Sequence, residues 1–181
     1  MKIKWNKGWL LPVLLLAVLP AGCGAPESNA PESGDEAAQM LREPPALMVS
    51  CGDGETAALL GTYSWTWTEP DGSAVGVEAD SVQVLAARDN MIPLPLSAES
   101  TVTLRFAEEP DTVSVLCWST DCWERTDVPG EAVEADRPEE KDGRAFALTA
   151  RPDCVYEVLA AWEGRDGWGG TAYYGFYTQA P

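Results

Sequence analysis

Histidine is absent from this 181-residue chain, and Lys and Arg together number 12 against 29 Asp and Glu. Without imidazole there is no Ser-His-Asp or Cys-His catalysis, no His-ligated zinc and no imidazole pH switch. The formal net charge of −17 argues against nucleic acid as a partner, because that affinity rests on Lys and Arg neutralising phosphates. Long apolar runs are missing too. The longest, Trp9 to Leu19 with Pro12 inside it, falls short of the roughly 20 residues of a transmembrane helix. No segment sustains a 3.6-residue apolar period, so long helices are not expected. What is left is enough chain for one domain with a real core.

The first eight residues hold Lys2, Lys4 and Lys7 and no acid, and the apolar run then leads to Pro20-Ala21-Gly22-Cys23. A basic start, an apolar stretch of this length and small residues at the break describe an export signal. Leu19-Pro20-Ala21-Gly22-Cys23 resembles the lipobox of bacterial lipoproteins, with Leu four residues before Cys where the pattern usually has three. The resemblance implies a signal peptide over 1–22 and a diacylglyceryl (palmitate-type) thioether on Cys23, which becomes the mature N-terminus. Two acyl chains anchor stably where one gives only marginal attachment. The expected location is therefore extracytoplasmic, with the membrane as first partner through Cys23. Losing 1–22 removes three Lys and no acid, leaving nine bases, 29 acids and a net charge of −20.

Residues 23–46 read as the lipidated Cys and an acidic, Pro-rich linker, in which Ala-Pro-Glu-Ser occurs twice. Such a composition buries too little apolar surface to offset its ordering entropy, so disorder is expected. From 47 to 181 the pattern changes to alternation. Leu47 to Cys51, Thr62 to Thr68, Thr101 to Phe106, Thr112 to Trp118, Ala145 to Thr149, Val155 to Trp162 and Thr171 to Thr178 read as strands, separated by Gly, Pro and Asp turns. Glu78 to Asn90 reads as a short helix or an irregular crossover. Seven or eight short strands predict an all-β, antiparallel two-sheet sandwich.

Tyr156, Val158, Ala160 and Trp162 share one face of a strand, and a closing hairpin returns through Tyr173-Tyr174-Gly175-Phe176-Tyr177. This stretch resembles the tyrosine-corner region of immunoglobulin-like domains. A wider resemblance rests on Gly61-Thr62-Tyr63-Ser64-Trp65, Glu78-Ala79-Asp80-Ser81, Pro110 to Val115, Cys117-Trp118, Tyr156-Glu157-Val158 and Gly169 to Tyr174. It is similar to a group of Firmicutes surface lipoprotein domains that accompany membrane-embedded sensor metallopeptidases of the antibiotic-resistance regulator type. That resemblance implies export and a sensing context, and it brings no catalytic or binding residues with it.

Cys51, Cys117, Cys122 and Cys154 form an even set in an exported chain, which points to two disulfides with three connectivities open. Cys117–Cys122 as a local loop with Cys51–Cys154 is the preferred pairing, and free thiols are the alternative. Neither a metal nor another cofactor is expected: C-x4-C is looser than the common zinc spacing. The acid clusters at Asp53-Gly54-Glu55, Glu108 to Asp111 and Glu131 to Asp142 lack the EF-hand pattern and read as solvated surface.

Tyr63, Trp65 and Trp67 form an aromatic row on one strand face, whose plain reading is core packing. Trp123 and Trp168 fall in loops and are the aromatics expected to be exposed. Any of the five is a candidate ligand contact if it reaches solvent. The expected function is a non-enzymatic binding or sensing accessory domain at the cell surface, with a neutral or basic protein or glycan as partner. A carbohydrate- or wall-binding module is the first alternative and a small acid-dependent hydrolase the second.

Overall fold

The alternating segments become twelve strands among the residues that the computed structural model describes, 41–125, 127–138, 143–165 and 167–181. The expected signal peptide, Cys23 and the linker as far as residue 40 lie outside the described residues. The strands are β1 (Leu47–Cys51), β2 (Gly54–Ala57), β3 (Leu59–Thr68), β4 (Ala74–Ala79), β5 (Leu94–Pro95) and β6 (Ser100–Phe106), then β7 (Thr112–Ser119), β8 (Glu131–Val133), β9 (Ala135–Asp136), β10 (Ala145–Ala150), β11 (Cys154–Arg165) and β12 (Trp168–Gln179). They form a five-stranded sheet, β2-β1-β6-β10-β9, and a seven-stranded sheet, β4-β3-β12-β11-β7-β8, with β5 as its seventh member. Every pairing is antiparallel except that of β5 with the end of β12. The protein is an all-β, two-sheet sandwich.

Within it, β1-β6-β10-β9 and β12-β11-β7-β8 follow the ABED and GFCC′ orders of immunoglobulin-like sandwiches. The β3–β4 hairpin is an addition that widens the second sheet beyond β12. The strand count exceeds the expected seven or eight, and the excess has a simple form. All seven segments read from alternation are present; the others are the four sheet edges β2, β9, β4 and β8, together with β5.

The tyrosine corner is formed. Tyr156, near the start of β11, accepts a hydrogen bond on its hydroxyl from the Arg151 backbone N–H at 2.8 Å. Thr178 secures the same corner, donating from Oγ1 to the Arg151 carbonyl at 2.6 Å and accepting from the Cys154 N–H at 3.1 Å.

Alternation on β11 turns Tyr156, Val158, Ala160 and Trp162 inward, and all four are buried. Trp65 of β3 is fully buried beside them, edge-on to Trp162 at 5.4 Å and stacked on Trp168 at 5.6 Å. Phe106 brings the five-stranded sheet into this cluster, meeting Trp162 at 5.8 Å and Tyr174 at 5.9 Å. The polar ends of these rings are satisfied by chain that the sequence reading assigned to the linker. Trp65 Nε1 donates to the Leu41 carbonyl at 2.9 Å and the Tyr174 hydroxyl donates to the Pro45 carbonyl at 2.6 Å. Pro44 and Pro45 are buried. The packed domain thus begins by Leu41, earlier than the expected residue 47, because two buried aromatic donors need acceptors.

The expected disulfides are not formed: Cys51, Cys117, Cys122 and Cys154 are all free thiols. Cys117 points into the main core, whereas Cys122 packs in a second apolar cluster on the opposite face of its sheet. A local bridge between them would have to pass through the sheet. Cys51 ends a strand of the five-stranded sheet and Cys154 opens one in the other. The Cys117 sulfur is instead engaged by the Arg151 guanidinium at 3.3 Å, and burial pushes the Cys154 thiol up from its ordinary pKa.

Two outcomes are expected. Trp65→Ala should lower unfolding free energy by about 3–5 kcal/mol, and Tyr156→Phe by about 1–3 kcal/mol by orphaning the Arg151 N–H, both read from denaturant midpoints. Alkylation of the denatured, unreduced protein should label Cys51, Cys117, Cys122 and Cys154 alike; a protected pair would contradict the thiol assignment.

Candidate functional site

β11 carries apolar residues on both of its faces, since Val155, Leu159 and Ala161 alternate with the inward set. A strand of that kind is covered on both sides. Here the cover is the crossover from β4 to β5, the segment read from sequence as a short helix or irregular connection. It contains two 3-10 turns, Val84–Ala86 and Arg88–Asn90. Val84, Leu85, Ala87 and Met91 pack from it onto Val155 and Tyr177, on the outer face of the seven-stranded sheet. Ser81 ties its start to β3 by donating its N–H to Thr62 Oγ1 at 3.1 Å. The pairing of Leu94 and Pro95 with Thr178 and Gln179 ties its end.

Gly175 makes this close approach feasible. A Cβ at that position would lie 2.8 Å from Val84 Cγ2 and 3.2 Å from Met91 Sδ. Gly175 stands opposite Glu157 in the β11–β12 register, so the strand neighbour of Glu157 on that side has no side chain. Gly61 of β3 also lines the space. The result is a cavity of about 190 Å³ between crossover and sheet. Its apolar walls include Leu59, Val82, Val84 and Tyr173, and among the described residues Glu157 is the one acidic group lining it. Val82 (56 % exposed) and Tyr173 (37 %) are two of the few large apolar side chains open to solvent.

Glu157 is half-buried. Among the described residues it has no hydrogen bond and no ion pair, and the lining contains no Lys or Arg. The crossover's guanidinium, Arg88, lies over the Trp123 ring at 5.8 Å. Burial is the single cause acting on the Glu157 carboxyl, and it raises the pKa because the charged form loses hydration with nothing to replace it.

The aromatics singled out from sequence are elsewhere. Trp65 is at the centre of the core, with Tyr63 and Trp67 packed against it. Trp168, expected to be exposed, is only 8 % exposed because it stacks on Trp65; its apparent turn is the first position of β12. Trp123 is half-buried against Tyr177, edge-on at 5.4 Å. The acid clusters are spread over the surface. Glu131 pairs with Arg151 at 2.7 Å, Glu109 with Arg137, and an Asp111 carboxylate oxygen accepts from the Glu163 N–H at 2.7 Å. Among the described residues no group of three or more His, Cys, Asp or Glu is placed to hold a metal, and no helix is long and apolar enough to cross a membrane. Compared with protein families, curated proteins and solved structures, the chain matches none.

Sequence reading passed over Glu157 and Tyr173. The available signal was one acid within a stretch, Val155 to Trp162, that is otherwise apolar on both faces.

The raised carboxyl has a pH consequence. Between the ordinary carboxyl pKa and the raised one, the folded chain keeps a proton that the unfolded chain has released, so stability falls as pH rises through that window. Glu157→Gln should remove this component. Its melting temperature relative to wild type should increase from about pH 4 to about pH 7; a constant difference would show that the carboxylate is not desolvated.

Proposed function

We propose that the protein is a lipid-anchored, extracytoplasmic binding or sensing domain, and that its ligand enters the cavity between the crossover and the seven-stranded sheet. The export signal and the lipobox-like Cys23 support the location, as does the resemblance to Firmicutes surface lipoproteins. The observation that carries the binding reading is Glu157, an unpaired carboxylate held half-buried in an apolar cavity. A partly desolvated charge without a partner is less stable than a hydrated one, and binding pockets are where concave apolar walls meet a few polar groups. The reading is non-enzymatic: among the described residues Glu157 has no second carboxylate beside it in the lining, as paired-acid hydrolysis would need. A glycan platform built on the row Tyr63, Trp65 and Trp67 finds no support, since Trp65 is buried at the centre of the core and Tyr63 and Trp67 are partly buried against it.

Two measurements test the two halves of this reading. Mass spectrometry of the membrane fraction should find Cys23 as a diacylglyceryl-modified N-terminus; an unmodified or internal Cys23 would reject the anchor. In a small-molecule screen by amide chemical shift, hits should perturb Glu157, Tyr173 and Gly175, and Val82→Asp at the mouth should weaken them about tenfold or more. Hits mapping consistently to another surface would reject the cavity.

A further inference from the structure

The chemistry of the cavity is one-sided. Among the described residues its only charged lining group is Glu157, and no base shares the space. Thr62 Oγ1 already accepts from the Ser81 N–H. The strand partner of Glu157 on β12 is Gly175 and on β7 is Leu116, so neither neighbour offers a donor side chain. A ligand that supplies a positive charge and hydrogen-bond donors would give the carboxylate what the fold withholds, and charge-assisted pairs of this kind are among the stronger ones. Tyr173, partly open to solvent at the lining, adds an aromatic ring, a group to which a cation is also attracted. Thr62, Ser81 and Gln83 add uncharged polar groups to the lining, while Leu59, Val82, Val84 and Ala87 ask for an apolar body. Size follows from volume. A cavity near 150 Å³ takes benzene, so about 190 Å³ suits one ring or an equivalent branched alkyl group with a short arm. The long-range field agrees, because a chain of net charge −17 attracts cations and repels anions.

We infer that the cavity is a receptor site for a small organic cation, a protonated amine on an apolar body about one ring in size, with the Glu157 carboxylate as its counter-ion. This rests on the reading of the cavity as the binding site and adds the ligand class. The amine is held without chemical change: its ammonium group faces Glu157, its body fills the space beneath the crossover, and Val84 and Tyr173 close around it.

The test is a matched series titrated into the full-length lipidated protein in detergent: 2-phenylethylamine, 2-phenylethanol and 3-phenylpropanoate, followed through the amides of Glu157, Tyr173 and Gly175. The amine should bind about tenfold or more tighter than the alcohol, and the carboxylate should be the weakest. In Glu157→Gln the amine should lose that advantage and bind like the alcohol. This variant removes an unpaired, half-buried charge, so an unchanged or higher melting temperature will separate lost affinity from lost folding. If the alcohol matches the amine in wild type, or the amine keeps its advantage in Glu157→Gln, the cation assignment is overturned while the cavity remains the binding site. If none of the three shifts these amides at millimolar concentration, the cation assignment is again overturned. The cavity reading then stands only if hits from the broader screen map there, and falls if they map elsewhere.

Discussion

Phe106 is the point at which the two sheets are held to one another. Its ring reaches from β6 across the interior to Trp162 and Tyr174, and Phe146 stands beside it at 6.0 Å on its own sheet. Behind Trp162 lie Trp65, edge-on to it, and Trp168, stacked on Trp65, so the edge-on contacts of one phenylalanine are continuous with a cluster of three indoles. Aromatic pairs in these arrangements contribute about 0.5–1.5 kcal/mol each beyond the area they bury. Their polar ends impose a further condition. The Trp65 N–H and the Tyr174 hydroxyl need acceptors inside the protein, and they draw in Leu41 and Pro45. The chain from Leu41 to Pro45 is thus held to the domain by two hydrogen bonds belonging to the core.

The part of this architecture that could be read from sequence divides along a physical line. Every strand with neighbours on both sides was legible, because an inner strand must place apolar side chains at every second residue and uses β-branched and aromatic residues to do so. Every edge strand was missed. β2, β4, β8 and β9 read Gly-Glu-Thr-Ala, Ala-Val-Gly-Val-Glu-Ala, Glu-Ala-Val and Ala-Asp, with small and acidic residues that blunt an open edge. Their strand character comes from the partner they lie against. Trp168 was misplaced for a related reason: Asp-Gly before it announces a turn, while its burial depends on Trp65, distant in sequence. The cysteines were misread because an even count says nothing about which face of a sheet each thiol occupies.

The candidate site was half legible. Gly61, Glu157, Tyr173 and Gly175 lie in segments assigned to strands or noted for their landmarks, yet alternation sorts residues only into two faces. It does not reveal that the outer face is roofed by Val84 to Met91. That roof, close because Gly175 lacks a side chain, turns an outward-facing glutamate into one facing a cavity. The same acid four residues along, at Ala161, would have had a different fate, since the crossover cluster involves Val155 and Tyr177 rather than that end of β11.

A sandwich closed by aromatic rings, with its four domain thiols unpaired, needs no oxidation step to reach its native state. Its folding does not wait on an oxidoreductase, and its stability should be the same in reducing and oxidising surroundings. Desolvation keeps the Cys154 thiol protonated and therefore slow to react. The lasting consequence is that a reductant, which would open a disulfide-stapled sandwich, has no bridge to cut among these four cysteines.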